Sequence, residues 1–313
     1  MPLERTDIQS GNGSAHEAPT PHRDVWTVGR LLRWTEQYFA ARGSESPRLD
    51  AEVLLAKALG CQRIELYVQF DKPVQADERA VFREFVRRRA AGEPVAYIVG
   101  RKEFFALEFE VGPGVLIPRP DSEFVVMAYL EHFSRQDFAY VADVGTGSGN
   151  LAVSIAREHL GARVVGTDIS AEALRFAARN VQRHEVQSRI ALVRCHLLSA
   201  VRPQPLLDAI VSNPPYIPSG QIGELEPGVR DYEPRVALDG GPDGLRVVGQ
   251  LICQALRRLK PQGLLIIEIG APQERPVLAL LVGAGFEPLR TVRDYAGHPR
   301  VLVARKPSSE HST

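Results

Sequence analysis

Cysteine is scarce, neither sign of charge is in excess, and no long apolar run occurs; each shortage closes off a class of protein. Three cysteines in 313 residues (Cys61, Cys195 and Cys253), odd in number and far apart, leave no disulfide framework and no Cys-x-x-Cys metal knuckle. With 38 Lys plus Arg against 38 Asp plus Glu, the formal net charge is zero. That argues against affinity drawn mainly from neutralising a phosphate backbone. No apolar run approaches the ~18–20 residues that cross a bilayer, and no basic-then-apolar segment reads as a secretory signal. The expectation is a soluble protein of the cytoplasm. What is present is an ordinary globular composition, 44% hydrophobic and 24% charged, long enough for a large domain plus a small one.

Residues 1–24 are rich in Ser, Gly, Asn, Pro and His and are expected to form a disordered tail, as are residues 307–313. From 25 to 95 the apolar period is helical. Val28, Leu31, Leu32, Thr35 and Phe39 mark a first helix closed near Gly43; Ala51 to Leu59 mark a second stopped by Gly60. A third, Asp77 to Ala91, carries Arg79, Arg83 and Arg87 on its polar face, diluted by Asp77, Glu78 and Glu84. Residues 96–120 read as a hairpin around Phe104–Val111 and a linker. In Leu116-Ile117-Pro118-Arg119-Pro120-Asp121-Ser122-Glu123, Asp121 is expected to cap the next helix and Glu123 to lie in its first turn. From 121 to 306 strands and helices alternate, the strands being Ala139–Val144, Arg163–Asp168, Arg189–Cys195, Leu207–Ser212, Gly263–Gly270, Phe286–Val292 and Arg300–Ala304. Such alternation predicts an α/β fold, a doubly wound, Rossmann-like sheet of seven strands. The short link between the last two strands makes them an antiparallel hairpin.

The first strand runs into Asp143-Val144-Gly145-Thr146-Gly147-Ser148-Gly149, with a helix directly after. Small residues let the backbone approach a ligand, and the helix N-terminus points N–H groups at it. Asp168, 23 residues after Gly145, ends the second strand, where a carboxylate can accept from both hydroxyls of a ribose. A tight turn with a surface acid would explain either feature alone. Together they favour a nucleoside ligand, and the spacing GxGxG disfavours a nicotinamide dinucleotide. Methyltransferases of class I, which use S-adenosylmethionine, are similar in this respect.

The fourth strand ends in Asn213-Pro214-Pro215-Tyr216. Prolines have no N–H, so Pro214 and Pro215 make that backbone acceptor-only, and each forces its predecessor to be extended. The Asn213 side-chain oxygen and the Pro214 carbonyl can each take one hydrogen from a planar NH2, and Tyr216 supplies an aromatic wall. An amide nitrogen is a poor nucleophile. Its N–H groups become better donors as it attacks a sulfonium methyl, so two fixed acceptors gain strength in the transition state.

The chain resembles the release factor glutamine methyltransferases (the PrmC/HemK family) over about residues 25–306. The likeness is carried by Ser46 to Glu52, Gly92 to Ile98, the LIPRPDSE stretch at 116–123, DVGTGSG at 143–149, NPPYIP at 213–218, Tyr232-Glu233-Pro234-Arg235, Leu238 to Leu245 and Arg293-Asp294-Tyr295. The resemblance implies S-adenosylmethionine at Gly145, Thr146, Gly147, Ser148, Gly149 and Asp168, with Asn213 close by. It also implies that Asn213, Pro214, Pro215 and Tyr216 hold the glutamine of the Gly-Gly-Gln loop of class I peptide chain release factors. Where the family places an acidic–aromatic pair after the third strand, this chain has His196-Leu197, and Leu197 is expected to cover the adenine. The helical block would help dock the protein substrate, with the Arg79, Arg83 and Arg87 face as a candidate. No metal, no direct nucleic-acid contact and no membrane partner are expected from the charge balance, the apolar runs and the isolated His and Cys residues; the sequence does not set the oligomeric state, a monomer being the default expectation. A ribosomal-protein glutamine methyltransferase, a nucleic-acid adenine methyltransferase and a non-catalytic ribosome-associated module are the alternatives.

Overall fold

Helix stop signals shape the first part of the chain. In the computed structural model, which describes residues 25–308, α1 spans Val28–Ala40 and α2 spans Pro47–Leu59. Thr27 caps α1 by accepting from the Arg30 N–H. Pro47 opens α2, and Gly60 closes it with a φ of 64°, a conformation that favours glycine. The two helices pack on each other and bury Leu31, Leu32, Phe39, Leu54 and Leu55. A third helix that the periodicity does not mark, α3 (Arg63–Val68), follows, started by the Glu65 carboxylate, which reaches back to accept from the Gln62 N–H at 2.6 Å. Six residues are too few to show an apolar period. The helix expected from Asp77 to Ala91 is α4, Ala76–Ala90. The chain divides into two compact units between Phe82 and Arg83, within α4. Of the tails expected at 1–24 and 307–313, residues 1–24 and 309–313 lie outside the described residues.

In the second unit the hairpin expected around Phe104–Val111 starts earlier, at Arg101, and ends at Glu110. Residues Val95–Val99 form α5, from Pro94 to a left-handed Gly100. The strands are β1 (Arg101–Phe104) and β2 (Leu107–Glu110), joined by Phe105 and Ala106, both at positive φ as a two-residue hairpin turn demands. Asp121 does not cap the next helix, α6 (Glu123–Leu130). Pro120–Ser122 forms a 3₁₀ turn ahead of it, and the Asp121 carboxylate pairs with Arg300 at 3.1 Å.

The alternating region then supplies β3 (Ala139–Val144), α7 (Asn150–Glu158), β4 (Ala162–Asp168), α8 (Ala171–Arg183), β5 (Ile190–Arg194), β6 (Leu207–Ser212), β7 (Ile217–Pro218), α9 (Pro227–Arg230), β8 (Asp239–Gly241), α10 (Arg246–Leu256), β9 (Leu259–Glu268), α11 (Glu274–Gly283), β10 (Glu287–Arg293) and β11 (Pro299–Arg305). Seven of these strands form one sheet in the order β10-β11-β9-β6-β3-β4-β5, in which only β11 runs against its neighbours. Ala142, Val144, Ile210, Leu265 and Ile267 face α10 and α11, while Val141, Val164, Val211 and Ile266 face α6 and α7. Both faces are covered, as near-continuous apolar strands require. The two small strands β7 and β8 pair with each other beyond the end of β6.

Candidate functional site

From β3 the chain moves to β4 and β5 on one side and to β6 on the other, so the winding reverses between β3 and β6. Ligands of such sheets sit beyond the carboxyl ends of the strands at that switch. Val144 pairs in register with Ser212, so Gly145 and Asn213 leave adjacent strands side by side.

The loop after β3 turns because Gly145, Gly147 and Gly149 all have positive φ (72°, 57° and 82°). At Gly149 a Cβ would sit 3.3 Å from Ala177 of α8, so glycine is also what lets α7 and α8 approach. Both oxygens of Asp168 hold backbone. Oδ2 accepts from the Gly147 N–H at 2.9 Å and Oδ1 from the Ser170 N–H at 2.8 Å, tying the loop to the end of β4. Burial pushes this carboxyl up, against those N–H bonds. Asp143, wholly buried beneath the loop, accepts from the Thr146 hydroxyl at 2.6 Å and the Ala152 N–H at 3.1 Å through Oδ2 alone. Its Oδ1 is buried with no partner among the described residues, and burial pushes its pKa up to about 7.

Above these strand ends lies a cavity of about 650 Å³, within the usual range of small-molecule sites. Its wall includes Gly145, Thr146, Gly147, Ser148, Asp168, Leu197, Asn213 and Pro215. Leu197 is held there at a φ of 51°, with its carbonyl accepting from the Cys195 thiol. Left-handed backbone costs an ordinary residue ~1–2 kcal/mol, so the turn that aims Leu197 is one that surrounding contacts impose. Arg119, also in the wall, pairs with the buried Glu233 at 2.5 Å, and Glu233 also accepts from the Ile117 N–H. The Tyr232–Arg235 run and the LIPRPDSE stretch are thereby joined to each other.

The tetrapeptide after β6 is clamped from three sides. Gly244, at a φ of 75°, lies so close that a Cβ would stand 2.3 Å from the Tyr216 carbonyl oxygen. Gln273 Nε2 donates to that same carbonyl at 2.9 Å, and the Ile217 N–H donates to the Leu238 carbonyl. This is what the Leu238 to Leu245 run does: its glycines let it lie directly against the tetrapeptide. The Asn213 Nδ2 group donates to Ser122 Oγ at 2.9 Å, and Oδ1 has no partner among the described residues. The Pro214 carbonyl likewise accepts from no described donor. Ser122 in turn donates to Glu268 Oε2 at 2.5 Å, and the Tyr216 hydroxyl reaches Glu268 Oε1 at 3.4 Å. Glu268 is fully buried at the end of β9. Burial and the nearby Asp121 charge push its pKa up to about 7, against the two hydroxyl bonds and Arg300. Burial beside Glu268 also raises the Tyr216 phenol.

The glycine loop, Asp168, Leu197, Asn213 and Pro215 thus meet at one cavity. Gly149, Pro214 and Tyr216 are not in its wall: Gly149 precedes α7, Pro214 is buried and the Tyr216 hydroxyl turns to Glu268. Sequence reasoning did not single out Ser122, Glu268, Gln273 or Glu233 as site residues. The signal for Glu268 was a lone acid closing the apolar run Leu264–Ile267.

Comparison with known proteins bears on the same residues. A family model described as the PrmC N-terminal domain matches residues 30–100, and one described as the methyltransferase small domain matches 125–224. A release factor glutamine methyltransferase of Rhodopirellula baltica is 42% identical over 295 residues, 92% of this chain and 99% of that protein. Another, of Geobacter sulfurreducens, is 43% identical over 286 residues, 91% of this chain and 99% of that protein. Among solved structures, a methyltransferase from Pyrococcus furiosus aligns with a TM-score of 0.48 at 20% identity, over 65% of this chain and 90% of that one.

Proposed function

The chain belongs to the release factor glutamine methyltransferase family, and from that membership we propose that it methylates the side-chain amide nitrogen of the Gly-Gly-Gln glutamine in a class I peptide chain release factor, in the cytoplasm, with S-adenosylmethionine as methyl donor. The cavity residues fit that donor. A three-glycine cradle, an α7 N-terminus, the Asp168 carboxylate with lone pairs to spare and the orphaned Asp143 Oδ1 suit a nucleoside that carries an amino acid. Gly145, Thr146, Gly147, Ser148 and Gly149 would hold it, with Asp168 at the ribose, Leu197 against adenine and Asn213 beside the reacting end. When bound, it supplies an electrophilic sulfonium methyl.

The observation that carries the reading is a pair of acceptors beside the glycine loop, Asn213 Oδ1 and the Pro214 carbonyl, that no donor among the described residues satisfies. Asn213 and Pro214 would grip the two N–H groups of the substrate amide and aim the nitrogen lone pair at the methyl. As positive charge grows on nitrogen both hydrogen bonds strengthen, which lowers the barrier without a general base. Pro215 and Tyr216 would line the approach, and Pro215 adds no N–H to compete with the substrate. Residues 25–95 would form the release-factor docking domain, with Arg79 and Arg83 on its polar helix face; Arg87 there is paired with Glu84.

Incubating release factor with this protein and S-adenosylmethionine, then analysing its peptides by mass spectrometry, tests the reading. One methyl on the Gly-Gly-Gln glutamine and none on ribosomal protein, RNA or DNA is the expected result. Methyl on another substrate, or on none, would refute it.

A further inference from the structure

We propose that Ser122 and Glu268 are positioning residues for methyl transfer, acting through Asn213 by fixing which end of its amide faces the substrate. The inference deepens the glutamine methyltransferase reading and rests on it. A hydroxyl has one proton and two lone pairs. Ser122 gives its proton to Glu268 Oε2 at 2.5 Å, so it can only accept from its other neighbours. Asn213 therefore meets it through Nδ2, as it does at 2.9 Å, and Oδ1 is left for the cavity. Turned over, the Asn213 amide would set its oxygen against a lone pair and its NH2 against the NH2 of the substrate.

Glu268 can impose this because it is fully buried and faces hydroxyl donors on both oxygens, Ser122 on one and Tyr216 on the other. It thereby joins the two side chains of the tetrapeptide that can hydrogen-bond. Three distant segments are needed: residue 122 ahead of α6, residues 213–216 after β6, and residue 268 closing β9. Ser122 reaches the cavity wall and Glu268 closes β9, and neither is among the residues assigned above to the cofactor.

A double-variant cycle on the full chain tests this, with kcat and KM for release factor and the Kd for S-adenosylmethionine measured for each protein. Ser122→Ala should lower kcat about tenfold, the rate equivalent of one net hydrogen bond, with KM and Kd within about twofold. Asn213→Ala should lower kcat about a hundredfold. Adding Ser122→Ala to Asn213→Ala should then change nothing beyond about twofold, because Ser122 acts only through the amide that is gone. Glu268→Gln, which keeps the size but brings in a donor, should slow the enzyme alone and be silent beside Asn213→Ala. Losses that multiply in the double variant, an unchanged kcat for Ser122→Ala, or a Kd that weakens as much as kcat would each overturn the proposal. A harmless Asn213→Ala would instead sink the amide-grip reading itself.

Discussion

The two ends of the site are each built around one fully buried carboxyl pushed up to about 7, and the two carboxyls work differently. Asp143 holds the glycine loop through a main-chain N–H and the hydroxyl of the loop's own Thr146, within ten residues of sequence. Glu268 holds side chains, Ser122 and Tyr216, drawn from segments up to 146 residues away. A nucleoside can be gripped by local backbone geometry. A single amide, which must be oriented as well as bound, calls for a side chain whose rotamer and flip are set by others.

The contrast can be broken most severely at Gly244. A Cβ there would meet the Tyr216 carbonyl at 2.3 Å, on a backbone with a φ of 75°. Left-handed strain and overpacking together should cost about 2–5 kcal/mol. Gly244→Ala should abolish methyl transfer while S-adenosylmethionine still binds, as calorimetry would record; joint loss of both would mean that the two ends are not separable.

Next is Asp143→Asn. The folded-state pKa of Asp143 is about 7 against an ordinary 3.8. Between those values the folded protein holds a proton that the unfolded chain has released. That contribution to stability is therefore full below the lower value and disappears as pH rises through the upper one. The variant has nothing to titrate, so its melting temperature relative to the parent should climb between pH 5 and pH 8. The corresponding stability difference should change by on the order of 3 kcal/mol over that window; a flat difference would contradict the raised pKa.

Asp168→Ala should weaken S-adenosylmethionine by about tenfold to a hundredfold, the range for hydrogen bonds to a charged acceptor, while leaving the Ser122–Glu268 pair intact. The smallest effect is expected at the helical block. Arg79→Ala with Arg83→Ala and Arg87→Ala should raise KM for release factor a few-fold, without altering kcat, and more at low salt. An unchanged KM would remove the docking role.

How much of this was legible in the sequence follows the same divide. Every strand of the large sheet could be read, because strands buried on both faces are continuous apolar runs bounded by turn residues. The glycine loop, Asp168 and the Asn-Pro-Pro-Tyr turn could be read because their chemistry is local. Ser122 could not, since its 116–123 stretch looks like a linker until β9 brings Glu268 against it. Asp121 was misread as a cap because nothing local reveals Arg300, an ion-pair partner 179 residues further along. The short α3 was missed because it is held by capping rather than by an apolar stripe.

The most direct test is a crystal structure of the protein with S-adenosylhomocysteine and a release-factor peptide containing Gly-Gly-Gln. The account predicts the glutamine side-chain nitrogen about 3 Å from both Asn213 Oδ1 and the Pro214 carbonyl oxygen, with Asn213 Nδ2 still on Ser122. A glutamine bound with its oxygen at those acceptors, or acceptors turned out of the cavity, would contradict it.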